Sequence, residues 1–181
     1  MKGKNMAAPT LFEAIQKMLL SPVRRPCIFL SHINIDKEAA IAIGDFITDR
    51  GIDIYLDVYD ECLWEAAGEG DAGRITECIE QGLSRCTHMM CIVSEDTKNS
   101  WWVPYEVGYG KKSSQEISTL YLKDVSGIPA YLRVTRQIKS LSDLAGYLEE
   151  IKKDYYATKK LAEFSSEVSG SVSPIDKYLK L

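Results

Sequence analysis

The amino-acid sequence predicts a three-layer α/β domain, in which helices cover both faces of a central parallel sheet. Short apolar segments alternate with segments whose apolar residues recur at the helical period. Residues 87–94 are almost continuously apolar, which is typical of a parallel strand covered on both faces. Right-handed crossovers between such strands place helices on the two sides of the sheet.

The central part of the chain supplies most of the predicted elements. Strands are predicted at residues 27–31, 53–57, 87–94, 117–122 and 137–139, and helices at 36–50, 74–84 and 100–111. Residues 58–71, which contain Gly68, Gly70 and several acids, are predicted to form a long loop. The four parts of the chain are predicted to be a short N-terminal helix and linker (1–25), the α/β domain (26–139), a long C-terminal helix packed on or extending from it (140–165), and a loose tail (166–181).

Composition and charge favour a cytoplasmic globular protein that binds neither nucleic acid nor a membrane. The 181 residues are 45% hydrophobic and 27% charged, and their net charge is −4. Non-specific nucleic-acid binding requires clustered Lys and Arg, and a mildly acidic chain is a poor candidate for it. The local clusters Lys152-Lys153 and Lys159-Lys160 are predicted to be solvated helix faces. No apolar run approaches the roughly 18 residues that span a membrane, and the N-terminus lacks the order of a secretory signal.

The five cysteines indicate neither a structural metal nor a disulfide framework. None forms a CxxC pair, and the two histidines do not stand at zinc-ligand spacings. Cys27 and Cys91 lie in apolar runs and are predicted to be small core residues. We therefore expect free thiols, which fit a reducing compartment.

Polar residues follow the predicted strands, where ligands of parallel α/β sheets bind. Ser31 and His32 end the first strand, and Asp57 ends the second. Ser31 and His32 do not predict a hydrolase, because the chain lacks the GxSxG elbow that presents a nucleophilic serine. The pair is either a polar strand end or the floor of a pocket. The acids of residues 58–71 do not follow the order of a calcium loop, and no metal site is predicted there.

The predicted helix at 100–111 carries a carboxylate in a row of aromatic side chains. Trp102, Glu106 and Tyr109 stand at i, i+4 and i+7 and therefore share one face, whereas Val103 and Val107 mark another face that can pack in the core. Glu106 is either a surface acid beside amphipathic rings or an acid held in a pocket. The helix dipole favours its ionised form and aromatic burial opposes it, a balance that the sequence leaves open.

The ordered set of segments resembles a Toll/interleukin-receptor (TIR) domain. Residues 27–37 ("CIFLSHINIDK") resemble its first strand and turn, and residues 51–57 ("GIDIYLD") resemble the second strand leading into its BB loop. Residues 75–107 resemble the following helix, the third strand and the "S.W…E" motif. The resemblance, which extends to about residue 122, implies a flavodoxin-like three-layer TIR fold.

Members of this family that cleave NAD+ carry a catalytic glutamate four residues after a tryptophan, and Trp102 and Glu106 match that spacing. Many TIR domains that only bind partners lack this glutamate. The resemblance therefore implies that Glu106 is catalytic and that NAD+ is a substrate, with no further cofactor. The residues predicted to bind the substrate are Ser31, His32, Asp57, Trp64 and Trp102. Ile33 stands where animal enzymes often have a basic residue, so that contact is not transferred.

The segment Leu63-Trp64-Glu65 is similar to stand-alone TIR proteins of the bacterial Thoeris anti-phage system. Those proteins convert NAD+ into a diffusible ADP-ribose-type signal for a separate effector. The implied product is ADP-ribose or a cyclic isomer of it. Because enzymatic TIR domains usually complete one copy's site with the BB loop of the next, we expect self-association through residues 58–71 and little activity when the protein is dilute.

Two other functions remain open from the sequence. One is a TIR module that only binds other proteins, and the other is an enzyme similar to nucleoside deoxyribosyltransferases, which would act on deoxynucleosides. A phospho-receiver domain is not predicted, because Ser31 and His32 stand where that fold requires an acidic pair.

Overall fold

The computed structural model describes residues 23–170, with side chains described up to residue 163. The chain divides into two compact units. Arg25–Lys152 form the α/β body, and the helical residues 153–170 lie in the other unit. Within the described part of the chain, no helix combines the length and apolar character needed to cross a bilayer.

The body contains a parallel five-stranded sheet, which confirms the predicted fold class. The strands are β1 (Cys27–Ser31), β2 (Asp53–Tyr55), β3 (His88–Val93), β4 (Glu116–Tyr121) and β5 (Arg136–Ile138), in the spatial order β2-β1-β3-β4-β5. The helices are α1 (Lys37–Thr48), α2 (Glu61–Glu69), α3 (Ala72–Arg85), α4 (Trp102–Lys112), α5 (Ala130–Arg133) and α6 (Leu141–Gly170). Short 3-10 turns follow β1, β2 and β3 at Asn34–Asp36, Asp57–Tyr59 and Glu95–Asn99.

Alternating side chains of the central strands divide the core into two layers. Ile28 and Leu30 of β1 pack in a cluster with residues of α1 and α6, whereas Phe29 packs in a second cluster with residues of α3, α4 and α5. Strand β3 is buried on both sides, with Met90 in the first cluster and Met89 in the second. This burial explains the continuous apolar run that the sequence shows at this strand.

The predicted long loop at residues 58–71 is wrong, because most of this segment is helical. The side chain of Asp60 accepts a hydrogen bond from the backbone amide of Leu63 at 3.2 Å and so caps the start of α2. Gly70 ends the helix with a φ of 69°, a conformation that favours glycine. Asp71 then caps α3 by accepting hydrogen bonds from two backbone amides.

Helix α2 also changes the expectation for the cysteines. Cys62 of α2 and Cys78 of α3 form a disulfide, with their Cα atoms 6.4 Å apart. The prediction of five free thiols is therefore wrong for this pair. Cys91 is fully buried in the second core cluster, as predicted.

The ends of the chain are only partly described. The predicted N-terminal helix lies outside the described residues, as does the part of the predicted tail beyond residue 170. Helix α6 reaches Gly170, which is further than the predicted end at residue 165. Its first turns bury Leu144, Tyr147 and Leu148 in the first core cluster.

A glycine of α3 allows close packing against the sheet and predicts a clear effect on stability. A Cβ atom at Gly82 would overlap the ring of Tyr55, which stacks on Phe29 with ring centroids 5.1 Å apart. We expect Gly82→Ala to lower the free energy of unfolding by about 1–3 kcal/mol, since overpacking outweighs the helix propensity of alanine. Urea unfolding of the purified variant measures this change.

The matched control is Gly68→Ala in α2, where a Cβ atom meets no neighbour within 4 Å. That variant should be more stable by about 0.5–1 kcal/mol. Equal stability of the Gly82→Ala variant and the natural protein would contradict the packing described here.

Candidate active site

A cleft of about 730 Å³ opens where β1, β2 and β3 end. Its walls come from the turns after these strands, from α2 and α3, and from the start of α4. Leu63 and Ile79 contribute apolar surface, and the polar side chains include His32, Asp57 and Glu106. The cleft therefore lies at the carboxyl edge of the sheet, where the sequence predicts a site.

Glu106 lies at the inner side of this cleft and is only 7% exposed. Helix α4 begins where the Ser100 side chain accepts hydrogen bonds from the backbone amides of Trp102 and Val103, each at 3.2 Å. One turn later, Glu106 is buried together with Val103 and Val107. The hydroxyl of Ser31, at the end of β1, donates a hydrogen bond of 2.5 Å to Oε2 of Glu106. The alternative of a surface acid is therefore wrong.

The charge state of Glu106 is set mainly by burial. Burial raises the pKa of Glu106 to about 7, against the hydrogen bond from Ser31, and the nearby charge of Asp57 raises it further. Glu106 is the fifth residue of α4, beyond the first turn in which the helix dipole acts most strongly. This answers the question that the sequence leaves open.

His32 and Asp57 form a second polar group in the cleft. They follow β1 and β2, which are neighbours in the sheet. Nδ1 of His32 lies 3.6 Å from Oδ1 of Asp57 and 3.3 Å from the carbonyl oxygen of Leu30. Burial raises the pKa of Asp57, and the facing His32 acts in the opposite direction. Both residues therefore lie in the cleft, as predicted from their positions at strand ends.

Aromatic side chains stand at the start of α4. Trp102 is 41% exposed, lines the cleft and lies edge-on to Tyr105, with ring centroids 6.0 Å apart. Its neighbour Trp101 also lines the cleft and is 92% exposed. Trp64 is 60% exposed and does not line the cleft, and Lys37 Nζ lies 5.5 Å from the centre of its ring. Its predicted contact with the substrate stays a prediction.

Several lining residues are not among those singled out from the sequence. Asp96 and Asn99 come from the turn after β3, and Ile35 comes from the turn after β1. The side chains of Ser94 and Asp36 join these two turns through a hydrogen bond of 2.7 Å. The rule that ligands bind beyond strand ends identifies these loops, but no sequence pattern shows which of their residues line the cleft.

The parallel order of the sheet and the buried Glu106 beside the strand ends define a class of protein. A family model of the TIR domain matches residues 28–152, and the chain belongs to the TIR domain family. A curated relative is the "Probable 3' cyclic ADP-D-ribose synthase ThsB'" of Bacillus cereus (strain MSX-D12). It is 24% identical over 97 residues, which cover 51% of this chain and 47% of the relative. The chain thus matches about half of that protein's length.

Two solved structures have a similar fold. The TIR domain of the Toll-related receptor TRR-2 from Hydra magnipapillata matches with a TM-score of 0.54 and 14% identity, covering 71% of this chain and 97% of that one. The SEFIR domain of interleukin-17 receptor B matches with a TM-score of 0.51 and 13% identity, covering 72% and 96%. At these identities the similarity shows the fold alone.

Proposed function

We propose that this protein cleaves the bond between nicotinamide and ribose in NAD+ and yields ADP-ribose or a cyclic isomer of it. The observation that carries this proposal is the buried carboxylate of Glu106 in the cleft, hydrogen-bonded to Ser31. Membership of the TIR family and the similarity to the probable 3' cyclic ADP-D-ribose synthase of Bacillus cereus support it.

The electrostatics of Glu106 suit the reaction. Nicotinamide leaves as a neutral molecule, and positive charge moves to the ribose as the bond breaks. Within the described residues, no Lys, Arg or His nitrogen forms an ion pair with Glu106. A buried anion without a cation is unfavourable by itself, so a developing ribose cation would gain strongly from its field.

The rest of the cleft suits a dinucleotide. Its volume of about 730 Å³ falls within the range typical of ligand sites. Trp102 and Trp101 offer flat aromatic surface for the nicotinamide or adenine ring. NAD+ enters as the substrate, and the proposal requires neither a metal nor another cofactor.

The test is to incubate the purified chain with NAD+ over a range of protein concentrations and to identify the products by chromatography and mass. We expect nicotinamide together with ADP-ribose or a cyclic isomer. No release of nicotinamide at any protein concentration would contradict the proposal and favour a TIR module that only binds proteins. Base exchange on deoxynucleosides instead of NAD+ cleavage would favour the deoxyribosyltransferase alternative.

The proposed role of the product is that of a cytoplasmic signal in bacterial anti-phage defence, read by a separate effector protein. The name of the Bacillus relative, a probable 3' cyclic ADP-D-ribose synthase, supports a cyclic ADP-ribose as the product that would carry this signal. We also propose self-association through residues 58–71, where Tyr59 is 70% and Trp64 60% exposed. Specific activity should then rise with protein concentration, and a constant specific activity would contradict this mode of assembly.

A further inference from the structure

The cleft holds a second carboxylate whose position calls for a role in the reaction. The side chain of Asp57 is 36% exposed, whereas Glu106 is 7% exposed, and both line the same cleft. The two carboxylates line one cleft, and the charge of Asp57 raises the pKa of Glu106. One carboxylate can stabilise the ribose cation, so the second is available for another step.

We propose that Asp57 accepts the proton of the substrate hydroxyl that attacks the ribose when a cyclic product forms, and that His32 is a positioning residue for Asp57. This inference rests on the proposed cleavage of NAD+. It goes further by assigning the residue that directs the reaction toward the cyclic product.

The step balances with groups of the substrate and the cleft alone. The bond between ribose C1′ and the nicotinamide nitrogen breaks, and its electron pair leaves with nicotinamide. A hydroxyl oxygen of the other ribose in the same molecule forms the new bond to C1′. The proton of that hydroxyl passes to the carboxylate of Asp57 and from there to water.

The contacts of His32 support the positioning role. The Leu30 carbonyl can only accept a hydrogen bond, so Nδ1 of His32, at 3.3 Å, carries the proton. Oδ1 of Asp57 faces the same nitrogen at 3.6 Å, is buried, and has no hydrogen-bond partner within the described residues. The N–H group therefore orients Asp57 electrostatically. The side chain of His32 is only 3% exposed, so Asp57 is the member of the pair that meets the substrate.

The surroundings of Asp57 also suit a base. Burial raises the pKa of Asp57 above its ordinary value, which makes its carboxylate a better proton acceptor than an exposed one. A water molecule attacking C1′ can lose its proton to bulk solvent. A hydroxyl of the bound dinucleotide lies inside the cleft and needs an acceptor there.

The test compares the product ratios of Asp57→Asn and the natural protein at equal consumption of NAD+. We expect the ratio of cyclic product to ADP-ribose to fall by about tenfold or more in the variant, whatever the rate at which it consumes NAD+. The matched control is Asp53→Asn, at the opposite end of β2, where the side chain is 54% exposed. That variant should keep the natural ratio.

Two variants of His32 test the positioning role and remain informative if Asp57→Asn does not fold. His32→Ala should lower the ratio as Asp57→Asn does. His32→Asn should restore much of it, because the asparagine amide can donate from near the position of Nδ1. A structural role alone would not separate the products in this way.

Three outcomes would overturn the inference. If Asp57→Asn folds, an unchanged product ratio in that variant rules out Asp57 as the base. If it does not fold, an unchanged ratio in both His32 variants does so. A natural protein that releases nicotinamide but makes only ADP-ribose also overturns it, and leaves the proposed cleavage intact. No nicotinamide release by the natural protein overturns the cleavage itself, and this inference with it.

Discussion

Glu106→Gln is expected to slow the release of nicotinamide from NAD+ by about 100-fold or more, the scale of losses seen when one group that stabilises a transition-state charge is removed. Glutamine keeps the shape of the side chain and can still accept the hydrogen bond from Ser31. It lacks the negative charge that faces the developing cation. Initial rates at saturating NAD+, followed by chromatography of nicotinamide, measure the effect.

Two further variants separate charge from fold. Ser31→Ala removes a hydrogen bond that lowers the pKa of Glu106 but leaves the carboxylate in place, so at alkaline pH, where Glu106 is ionised, its rate should fall less than that of Glu106→Gln. Glu77→Gln removes a carboxylate from the exposed face of α3 and should leave the rate unchanged. A Glu106→Gln variant as active as the natural protein would contradict the role of this charge.

Glu106→Gln is also expected to stabilise the fold at alkaline pH. Burial raises the pKa of Glu106 from its ordinary 4.5 to about 7, so the folded chain holds a proton that the unfolded chain has released. The free energy of unfolding therefore falls as the pH rises through this window. A pKa difference of this size corresponds to roughly 3 kcal/mol as an upper bound, which the uncharged variant should recover above pH 7.

Denaturant unfolding at two pH values tests this prediction. The natural protein and Glu106→Gln should have similar stability at or below about pH 4, where most of the acid is protonated in both the folded and the unfolded chain. At pH 8.5 the variant should be clearly more stable. A stability difference that does not change with pH would contradict the raised pKa of Glu106.

The two predictions describe a single compromise between stability and function. A buried carboxylate without an ion-pair partner lowers stability, and its removal by mutation restores stability at the expense of activity. Perturbed acids of this kind concentrate at functional sites, because their charge has the greatest effect where water is excluded.

The sequence predicts the sheet well because its signals are local. The apolar runs of β1 and β3 and the alternation with helices are sufficient to define a parallel α/β body, and the strand-end rule then brings Ser31, His32 and Asp57 to the cleft. Burial of Glu106 is harder to predict. At roughly 100° per residue it lies between Trp102 and the row of Val103, so a small rotation of α4 decides whether it is exposed.

Helix α2 and the disulfide could not be predicted from the sequence. Asp60 and Gly70 are a helix cap and a helix end, but the acids and glycines around them also fit a loop, and nine residues carry too little periodicity to decide. The pairing of Cys62 with Cys78 depends on how α2 approaches α3. The spacing of the cysteines along the chain does not predict how these two helices pack.

The pH dependence of kcat/KM for nicotinamide release tests the central claim most directly, because this quantity reports the ionisation of groups in the free enzyme. If the reaction needs the ionised, buried Glu106, kcat/KM should be constant at alkaline pH and fall about tenfold per pH unit below a midpoint of about 7. A profile that is flat between pH 5 and 9, or a midpoint near the ordinary value of 4.5, would contradict it.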